Sequence, residues 1–261
     1  MITSTSNAKV KELLQLQKKA KARNQEKVFI VEGIRMFQEI PSKSIRNVYF
    51  SESFYNRRKE ELQLEEYSYE LLSDTVFAYV SDTKTPQGVL CVVEQPQYTL
   101  EEVIGNANPH LLVLDNLQDP GNLGTILRTA EGAGVTGIIL SKDCVDIFNP
   151  KVIRSTMGSI YRMPFLYVED LIATIAQMKE KGIRTFAAHL QGKNDYDEAD
   201  YTGGCAFFIG NEGNGLRDEV ANQADEWIQI PMHGQVESLN AAIAASVLMF
   251  EAARQRRRSG E

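Results

Sequence analysis

IGNEGNGL at residues 209–216 and IPMHGQVESLN at residues 230–240 are the two loops that decide the fold. The first follows the apolar run Cys205–Ile209, which is short and aromatic and therefore predicts a buried strand. The second begins at the end of a predicted strand, Trp227–Ile230, which the next residue stops because proline cannot donate to a sheet ladder. Both loops thus come at the end of a strand, which is where ligands bind in α/β sheets.

Three glycines and one serine set the expected geometry of these loops. Gly210, Gly213 and Gly215 are expected to take positive φ and to let the backbone approach a ligand closely. Ser238 is the candidate N-cap of a long helix over about residues 239–257, since its hydroxyl can accept a first-turn N–H. Taken singly, each loop is also ordinary turn chemistry, so it is the combination that indicates a site.

The composition is that of a folded protein without a membrane segment. Of the 261 residues, 43% are hydrophobic, which is enough for a real core. No apolar run approaches the roughly 18 residues that span a bilayer, and the first residues do not begin a signal peptide. We therefore expect no membrane partner and a cytoplasmic location. Cys91, Cys144 and Cys205 are isolated and the three histidines are scattered, so no metal site is expected.

The net charge of −7 conceals a strong asymmetry along the chain. The first 30 residues are rich in basic side chains, and the tail adds more: Lys9, Lys11, Lys18, Lys19, Lys21, Arg23 and Lys27, then Arg254, Arg256, Arg257 and Arg258. Such patches often mark nucleic-acid contact. A basic helix end is also what the helix dipole favours, so the tail has two explanations.

The chain is predicted to have four parts. Residues 1–25 form a basic helical arm, with one helix from Ala8 to about Arg23. Strands and helices alternate over residues 26–95, which predicts a small α/β domain. Residues 96–109 are polar and rich in turn formers, and are predicted to be a linker. Residues 110–261 open with a strand, a helix and a second strand, a βαβ unit that predicts a parallel sheet.

Polar residues near strand ends and helix starts are the candidates for a reaction site: Asn122, Arg128, Glu212, Ser238 and Asn240. Arg128 falls about 140° from Leu123 on a helical wheel, on the side away from the core, so it is free to reach a ligand. No GK[ST] follows the glycines, and no full GxGxxG occurs. A nucleotide-dependent oxidoreductase or transferase is therefore only weakly supported.

Three segments taken in order resemble one known family. NLGTILR at residues 122–128, FFIGNEGNGL at 207–216 and IPMHGQVESLNAAIAASVLMFEAAR at 230–254 match the motifs of the SpoU branch of the SPOUT class of RNA methyltransferases. The amino-terminal part resembles, more weakly, the L30e/L7Ae-like substrate-binding domain of that family. The resemblance implies an α/β knot, in which the chain's carboxyl-terminal segment forms a deep trefoil knot beside a mostly parallel sheet.

The resemblance also implies a reaction, which is transfer of a methyl group from S-adenosylmethionine to a ribose 2′-hydroxyl in ribosomal or transfer RNA. It assigns catalysis to the five polar residues named above. It assigns cofactor binding to residues of three loops: Leu190, Gly210, Ile230, Met232, Ser238 and Leu239. RNA binding is predicted for the lysines of the arm, which domain 26–95 would assist: Lys9, Lys11, Lys18, Lys19 and Lys21.

Several alternatives stay open at this point. A non-enzymatic RNA-binding or assembly factor could retain the same fold. The family likeness implies a homodimer through the catalytic domain, yet burial inside the knot could also consume the apolar surface of the last helix. Arg128 could act as a general base or as a phosphate clamp, and within one subunit or across the dimer. The target nucleotide is not encoded in any of these patterns.

Overall fold

The computed structural model describes residues 1–62, 66–105 and 107–260, and it divides the chain into two compact units. The first unit combines Met1–Pro96 with Asp146–Tyr161. The second combines Gln97–Val145 with the chain from Arg162 onward. The segment Asp146–Tyr161 lies in sequence within the predicted catalytic domain, yet it folds as part of the first unit.

The bounds of the elements are as follows for the described part of the chain. The strands are β1 (Val28–Glu32), β2 (Ile45–Ser51), β3 (Tyr69–Leu72), β4 (Val89–Glu94), β5 (His110–Leu114), β6 (Gly137–Ser141), β7 (Phe165–Val168), β8 (Arg184–Ala188), β9 (Asn194–Asp195), β10 (Cys205–Ile209) and β11 (Glu226–Gln229). The helices are α1 (Ala8–Lys18), α2 (Ala20–Glu26), α3 (Ile34–Glu39), α4 (Glu52–Arg58), α5 (Asp74–Val80), α6 (Leu100–Ile104), α7 (Pro120–Gly132), α8 (Pro150–Thr156), α9 (Leu171–Glu180), α10 (Asp218–Ala221) and α11 (Ala241–Ser259). No described helix has the length and apolar character that crossing a membrane would require.

The first unit is built on a four-stranded sheet of order β1-β4-β2-β3. Strand β4 pairs antiparallel with β1 and β2, and β3 joins the edge of β2 in parallel. Helix α1 covers this sheet with Val10, Leu13 and Leu16, which are buried with the apolar side chains of β1 and β4. The predicted arm is therefore packed into the core of the first unit.

The single helix predicted from Ala8 to Arg23 is wrong, because the chain breaks at Lys19. There the backbone is extended, with φ −121° and ψ 115°. The break lets Arg23 turn inward, where it is 2% exposed and donates to the carbonyls of Leu16 and Gln17 at 2.6 and 3.0 Å. Arg23 also donates to the Asp146 carboxylate at 2.5 and 3.2 Å. Arg23 thus donates hydrogen bonds to carbonyls at the end of α1 and pairs its charge with the carboxylate of Asp146, from the segment Asp146–Tyr161.

The predicted linker, residues 96–109, contains a short helix, over Leu100–Ile104. Helix α6 lies within it and begins with a capping box between Thr99 and Glu102. Its Val103 and Ile104 are buried in the core of the second unit, whereas Glu101 and Glu102 on the same helix are exposed. The boundary between the two units falls between Pro96 and Gln97, at the start of the predicted linker.

The second unit is a seven-stranded sheet of order β7-β6-β5-β10-β8-β11-β9, and every pair of neighbouring strands is parallel. The predicted βαβ unit is present as β5, α7 and β6. Helix α7 begins at Pro120, because Asp119 caps it by accepting from the Asn122 N–H. The mostly parallel sheet with flanking helices confirms the predicted α/β class.

The strand order brings the loops of interest to one edge. Strand β10 lies between β5 and β8, and β11 lies beside β8, so their carboxyl ends adjoin. The loops that follow β5, β8, β10 and β11 therefore meet there. The last of them leads to α11, whose N-cap is Asn240, with its side chain accepting from the N–H groups of Ala242 and Ile243 at 2.9 and 3.3 Å. The prediction that Ser238 caps this helix is wrong.

Candidate functional site

A cavity of about 560 Å³ opens at the carboxyl ends of β8, β10 and β11. That volume lies in the range of small-molecule pockets in proteins. All six residues predicted to bind a cofactor line it: Leu190, Gly210, Ile230, Met232, Ser238 and Leu239. The side chains of Leu248 and Glu237 add an apolar and an acidic element to the wall.

The glycines of the loop after β10 have a different role from the one expected. A Cβ on Gly210 would lie 2.1 Å from the carbonyl carbon of Gly215, so this glycine lets the loop close on itself. Gly215 is the member of the set with positive φ, at 70°. Asn211 and Gly215 exchange two backbone hydrogen bonds of 2.9 Å, and the Asn211 side chain accepts from the Gly213 N–H. The result is a closed loop that carries Glu212 on it.

Glu212 joins this loop to the start of α7. Its carboxylate accepts from the backbone N–H groups of Gln118 and Asp119 at 3.1 and 2.9 Å. It also accepts from the side-chain amide of Asn122 at 3.0 Å. In turn, the Asn122 side-chain oxygen accepts from the Asn240 amide at 2.9 Å. The structure thus brings Asn122, Glu212 and Asn240, one from each motif, into one chain of hydrogen bonds.

The direction of this chain is fixed by the groups at its two ends. The Asn240 oxygen must face the N–H groups at the start of α11, so its amide nitrogen faces Asn122. Asn122 must therefore present its oxygen to Asn240 and its amide nitrogen to Glu212, which as a carboxylate can only accept. Neither amide can be flipped without facing like groups, and the network is consequently rigid.

The electrostatics show that Glu212 is held as a carboxylate. Burial by itself would raise the pKa of Glu212, but the hydrogen bonds from Asn122, Asp119 and Gln118 outweigh it, and the pKa lies below its usual value of 4.5. A carboxylate with three donors and a lowered pKa is a poor proton acceptor. Its geometry is suited to orienting Asn122 and the start of α7.

The remaining two candidates lie apart from this chain. Ser238 lines the cavity on an exposed loop, beside Leu239. Arg128 is exposed on α7 and does not line the cavity, and its side chain makes no hydrogen bond or ion pair with any described residue. Its guanidinium is therefore free to meet a ligand.

Two residues that sequence reasoning missed are joined close to the network. Asp115 is fully buried at the end of β5 and forms an ion pair with Arg217, which follows the Glu212 loop. The signal was present, since a carboxylate that directly ends the apolar run His110–Leu114 must find a partner when it is buried. A second pair, His189 and Trp227, stacks with ring centroids 4.2 Å apart, and His189 lines the cavity.

The basic residues divide into free and committed groups. In the first unit, Lys9 forms an ion pair with Glu70, and Arg23 is buried as described. The side chains of the other predicted RNA-binding lysines are exposed, and within the described ranges these side chains make no hydrogen bond or ion pair: Lys11, Lys18, Lys19 and Lys21. In the tail, Arg254 is paired with Glu251, and Arg256 donates to the carbonyls of Tyr201, Asn108, Pro109 and Gly203. The tail is thus partly a structural clamp.

The cavity fits S-adenosylmethionine by size and by chemistry. Leucine and isoleucine side chains and loop backbone can enclose an adenosyl group, as the walls at Leu190, Ile230 and Leu239 allow. Glu237 also lines the cavity, and a carboxylate is a suitable partner for the ammonium group of the methionine moiety. In the part of the chain that the structure describes, His, Cys, Asp and Glu side chains do not gather into a metal-binding group.

Two family models match the chain. The SpoU rRNA Methylase family matches residues 109–250, and an MRM3-like substrate binding domain matches residues 7–91. The first match covers the first two motifs, residues 230–250 of the third, and the cavity. The second covers most of the first unit, with α1 inside it.

Known proteins match over nearly the whole chain. The 23S rRNA (guanosine(2553)-2′-O)-methyltransferase RlmP of Bacillus subtilis is 32% identical over 251 residues, which is 95% of this chain and 97% of that protein. The structure of an AdoMet-bound rRNA methyltransferase from Sinorhizobium meliloti is 30% identical, with a TM-score of 0.86 and 97% of each chain covered. A structure concerned with 2-OH methylation of C/U34 on tRNA is 29% identical with a TM-score of 0.53, and covers 60% of this chain and 100% of its own.

Fold and site together therefore define an RNA 2′-O-ribose methyltransferase of the α/β-knot class that uses S-adenosylmethionine. The chain belongs to the SpoU rRNA methylase family. The predicted family, fold class, activity and cofactor are thereby confirmed. The roles of the individual site residues remain predictions.

Glu212→Gln tests the network by its pH dependence. A carboxylate with a lowered pKa stabilises the folded state above its unfolded pKa, and that contribution disappears as the pH falls below 4.5. We expect the variant to lose about 1–2 kcal/mol of unfolding free energy near neutral pH, measured by urea unfolding, and to approach the parent at acid pH. Glu180→Gln, on the exposed end of α9, is the control and should change little at either pH. A loss for Glu212→Gln that is equal at both pH values would contradict the assignment.

Proposed function

We propose that this methyltransferase acts on ribosomal RNA as a cytoplasmic homodimer, with Asn122, Glu212 and Asn240 organising the reaction site. The observation that carries the proposal is the chain of hydrogen bonds through these three residues beside the cofactor cavity. A non-enzymatic RNA-binding factor would have no need of such a network, since binding alone does not require a fixed acceptor and donor next to a methyl donor.

The choice of ribosomal over transfer RNA is supported by coverage. Two relatives that match both units, with 97% of their own chains covered, are named as rRNA methyltransferases. The structure concerned with tRNA methylation matches over its full length, but the match covers only 60% of this chain. The additional unit is therefore shared with the enzymes of ribosomal RNA, and a substrate-binding model matches it. The unit would present the RNA, and the cavity would present the methyl donor.

The chemistry needs orientation and a path for one proton. Bound S-adenosylmethionine supplies an activated methyl group, so the protein need not create an electrophile. Asn122 is locked by Glu212 and Asn240, and it fixes the first turn of α7 beside the cavity. Arg128 lies two turns into the same helix, and its planar guanidinium suits contact with a phosphate. We assign it to hold an RNA phosphate near the ribose, and Ser238 to shape the loop beside the methyl group.

The dimer is proposed from the exposed face of α11. Ile243 and Phe250 are 50% and 52% exposed, and Val247 lies between them at helical spacing, so an apolar stripe faces outward. Helix α11 packs against α7, which carries the free Arg128. A second copy seated on this surface would bury the stripe. It would also bring the Arg128 of one subunit toward its partner, and that accounts for an arginine outside its own cavity.

Arg128→Ala separates the reaction from cofactor binding. Because Arg128 does not line the cavity, the Kd for S-adenosylmethionine should stay within about threefold of the parent in calorimetry. Single-turnover methyl transfer to 23S rRNA should fall by about 100-fold or more, because the phosphate is no longer held. Thr125→Ala, one turn earlier on the exposed side of α7, is the matched control and should transfer normally. Unchanged turnover in Arg128→Ala would remove Arg128 from the site.

The RNA class is tested in the same assay with purified rRNA and tRNA as separate substrates. The parent should methylate 23S rRNA, and mapping of 2′-O-methyl groups in cells lacking the gene should show one rRNA position lost. Methylation confined to tRNA would overturn the choice of ribosomal RNA while leaving the enzyme class intact.

Reversal of the free lysines tests the RNA-binding role of the first unit. The triple change Lys18→Glu, Lys19→Glu and Lys21→Glu should weaken RNA binding and reduce the slope of log affinity against log salt by about one for each phosphate that is no longer neutralised. The affinity for S-adenosylmethionine should not change. Lys181→Glu, an exposed lysine of the second unit, is the control. An unaltered salt slope would mean that these lysines are only solvated.

Phe250→Glu tests the dimer. A charge at the end of the apolar stripe should make the protein sediment as a monomer at micromolar concentration, because burying an unpaired carboxylate in an interface is strongly unfavourable. Arg257→Glu, on the exposed end of the same helix, should leave the dimer intact. A parent protein that sediments as a monomer would exclude the proposal.

A further inference from the structure

Asp115 and Arg217 form an ion pair beside the loop that carries Glu212. Asp115 is 0% exposed at the carboxyl end of β5. Its carboxylate accepts from the Arg217 backbone N–H at 3.0 Å and from the Arg217 Nε at 2.9 Å, and a further guanidinium nitrogen donates to the same oxygen as Nε. The hydrogen bond to Asp115 raises the pKa of Arg217 above its ordinary value.

One residue closes the loop from both sides. The backbone N–H of Asp115 donates to the carbonyl of Ile209 at 2.9 Å, which is the last residue of β10 before the loop. The carboxylate of Asp115 holds Arg217, the first residue after the loop and the cap of α10. Residues 210–216 are thus suspended between two attachments to the same amino acid.

The loop so held contributes to both parts of the site. Gly210 and Leu216, next to the attachments, line the cofactor cavity. Glu212, between them, receives the Asn122 amide. A second tie runs in the same direction, since the Asn211 amide donates to the carbonyl of Asn116 at 2.9 Å. The ends of the loop, its middle and its acidic side chain are therefore all registered against residues 115–122.

We propose that Asp115 and Arg217 are positioning residues for methyl transfer, which hold the Glu212 loop in the register that the Asn122 network requires. The inference rests on the activity proposed above and adds two residues to it. The Arg217 guanidinium is half-exposed, and its outer nitrogen also faces Asp143 and Glu219, at 3.7 and 3.6 Å. These two contacts contribute little to its orientation, since exposed ion pairs are weak. The buried hydrogen bonds to Asp115 set its orientation.

The test compares Asp115→Asn, Arg217→Gln, the double variant and Arg217→Lys in the full-length protein. Single-turnover transfer at saturating S-adenosylmethionine should fall by about 30-fold in each single neutral variant, because a displaced Glu212 loop no longer orients Asn122. The double variant should be no worse than the poorer single variant by more than about threefold, since the two residues act as a unit. Arg217→Lys keeps the charge and should recover to within about fivefold of the parent.

Hydrogen exchange supplies a readout that does not depend on the RNA. Amides of residues 211–216 should exchange about tenfold faster in Asp115→Asn than in the parent, while amides of β6 and α9 stay protected. Lys179→Gln, which breaks the Lys179–Asp225 ion pair at the opposite end of β8, is the matched control and should change neither readout. If Asp115→Asn does not fold, the milder Arg217→Lys and Arg217→Gln still give the comparison.

The outcomes separate this inference from the proposed function. A parent that transfers no methyl group to rRNA would refute the proposed substrate, and exchange of the loop amides would still decide the positioning role. Transfer by folded Asp115→Asn and Arg217→Gln within about twofold of the parent would overturn the inference. So would strictly additive losses in the double variant, because independent effects would show two separate structural defects.

Discussion

The hydrogen bonds that converge on the Glu212 carboxylate are the constraint on which the reaction site depends. Two come from backbone N–H groups at the start of α7 and one from Asn122. A carboxylate is suited to this position because it accepts in several directions and cannot donate. The Asn240 amide donates to Asn122 in turn, so the carboxylate links side chains from three distant parts of the sequence.

The three motif loops are held with very different firmness. The loops after β5 and β10 are joined by the Glu212 bonds, the Asn116–Asn211 bond and the Asp115–Arg217 pair. The loop over residues 231–239 makes no hydrogen bond or ion pair within the described chain, and Val236 on it is 65% exposed. Its nearest fixed point is Asn240. A site of this kind has two rigid walls and one compliant wall, and ligand-binding loops are commonly drawn from the less stable parts of a fold.

Sequence reasoning predicted the parallel sheet and named candidate residues for the site, but it did not predict the geometry of several local features. The apolar runs of β5, β6 and β10 are short and continuous, as buried parallel strands are, and the three motifs carry Asn122, Glu212 and Asn240. The N-cap of α11 could not be placed from sequence because Ser238 and Asn240 are both good capping residues, and only the backbone decides between them. The role of Gly210 was equally ambiguous, since a loop closing on itself and a loop approaching a ligand need the same residue.

Long-range ties were the hardest feature to foresee. Arg23 and Asp146 are 123 residues apart, and nothing in the local pattern of either segment predicts their pairing. The helix break at Lys19 goes together with that pairing, because a continuous helix would point Arg23 elsewhere. Helical periodicity describes one element at a time. It carries no information about which distant carboxylate an arginine will meet.

Because Asp146–Tyr161 folds as part of the first unit, that unit cannot be separated from the rest of the chain by a single cut. The first unit is not a contiguous stretch of sequence, because its buried Arg23 is paired with the carboxylate of Asp146, which follows β6 in the chain. A fragment ending at Pro96 would keep the arginine without its counter-charge, and Phe29 would no longer have the Phe148 ring to pack against. Exchange of this unit between relatives by a single crossover in the gene would therefore join incompatible halves, so the two segments are expected to be inherited together.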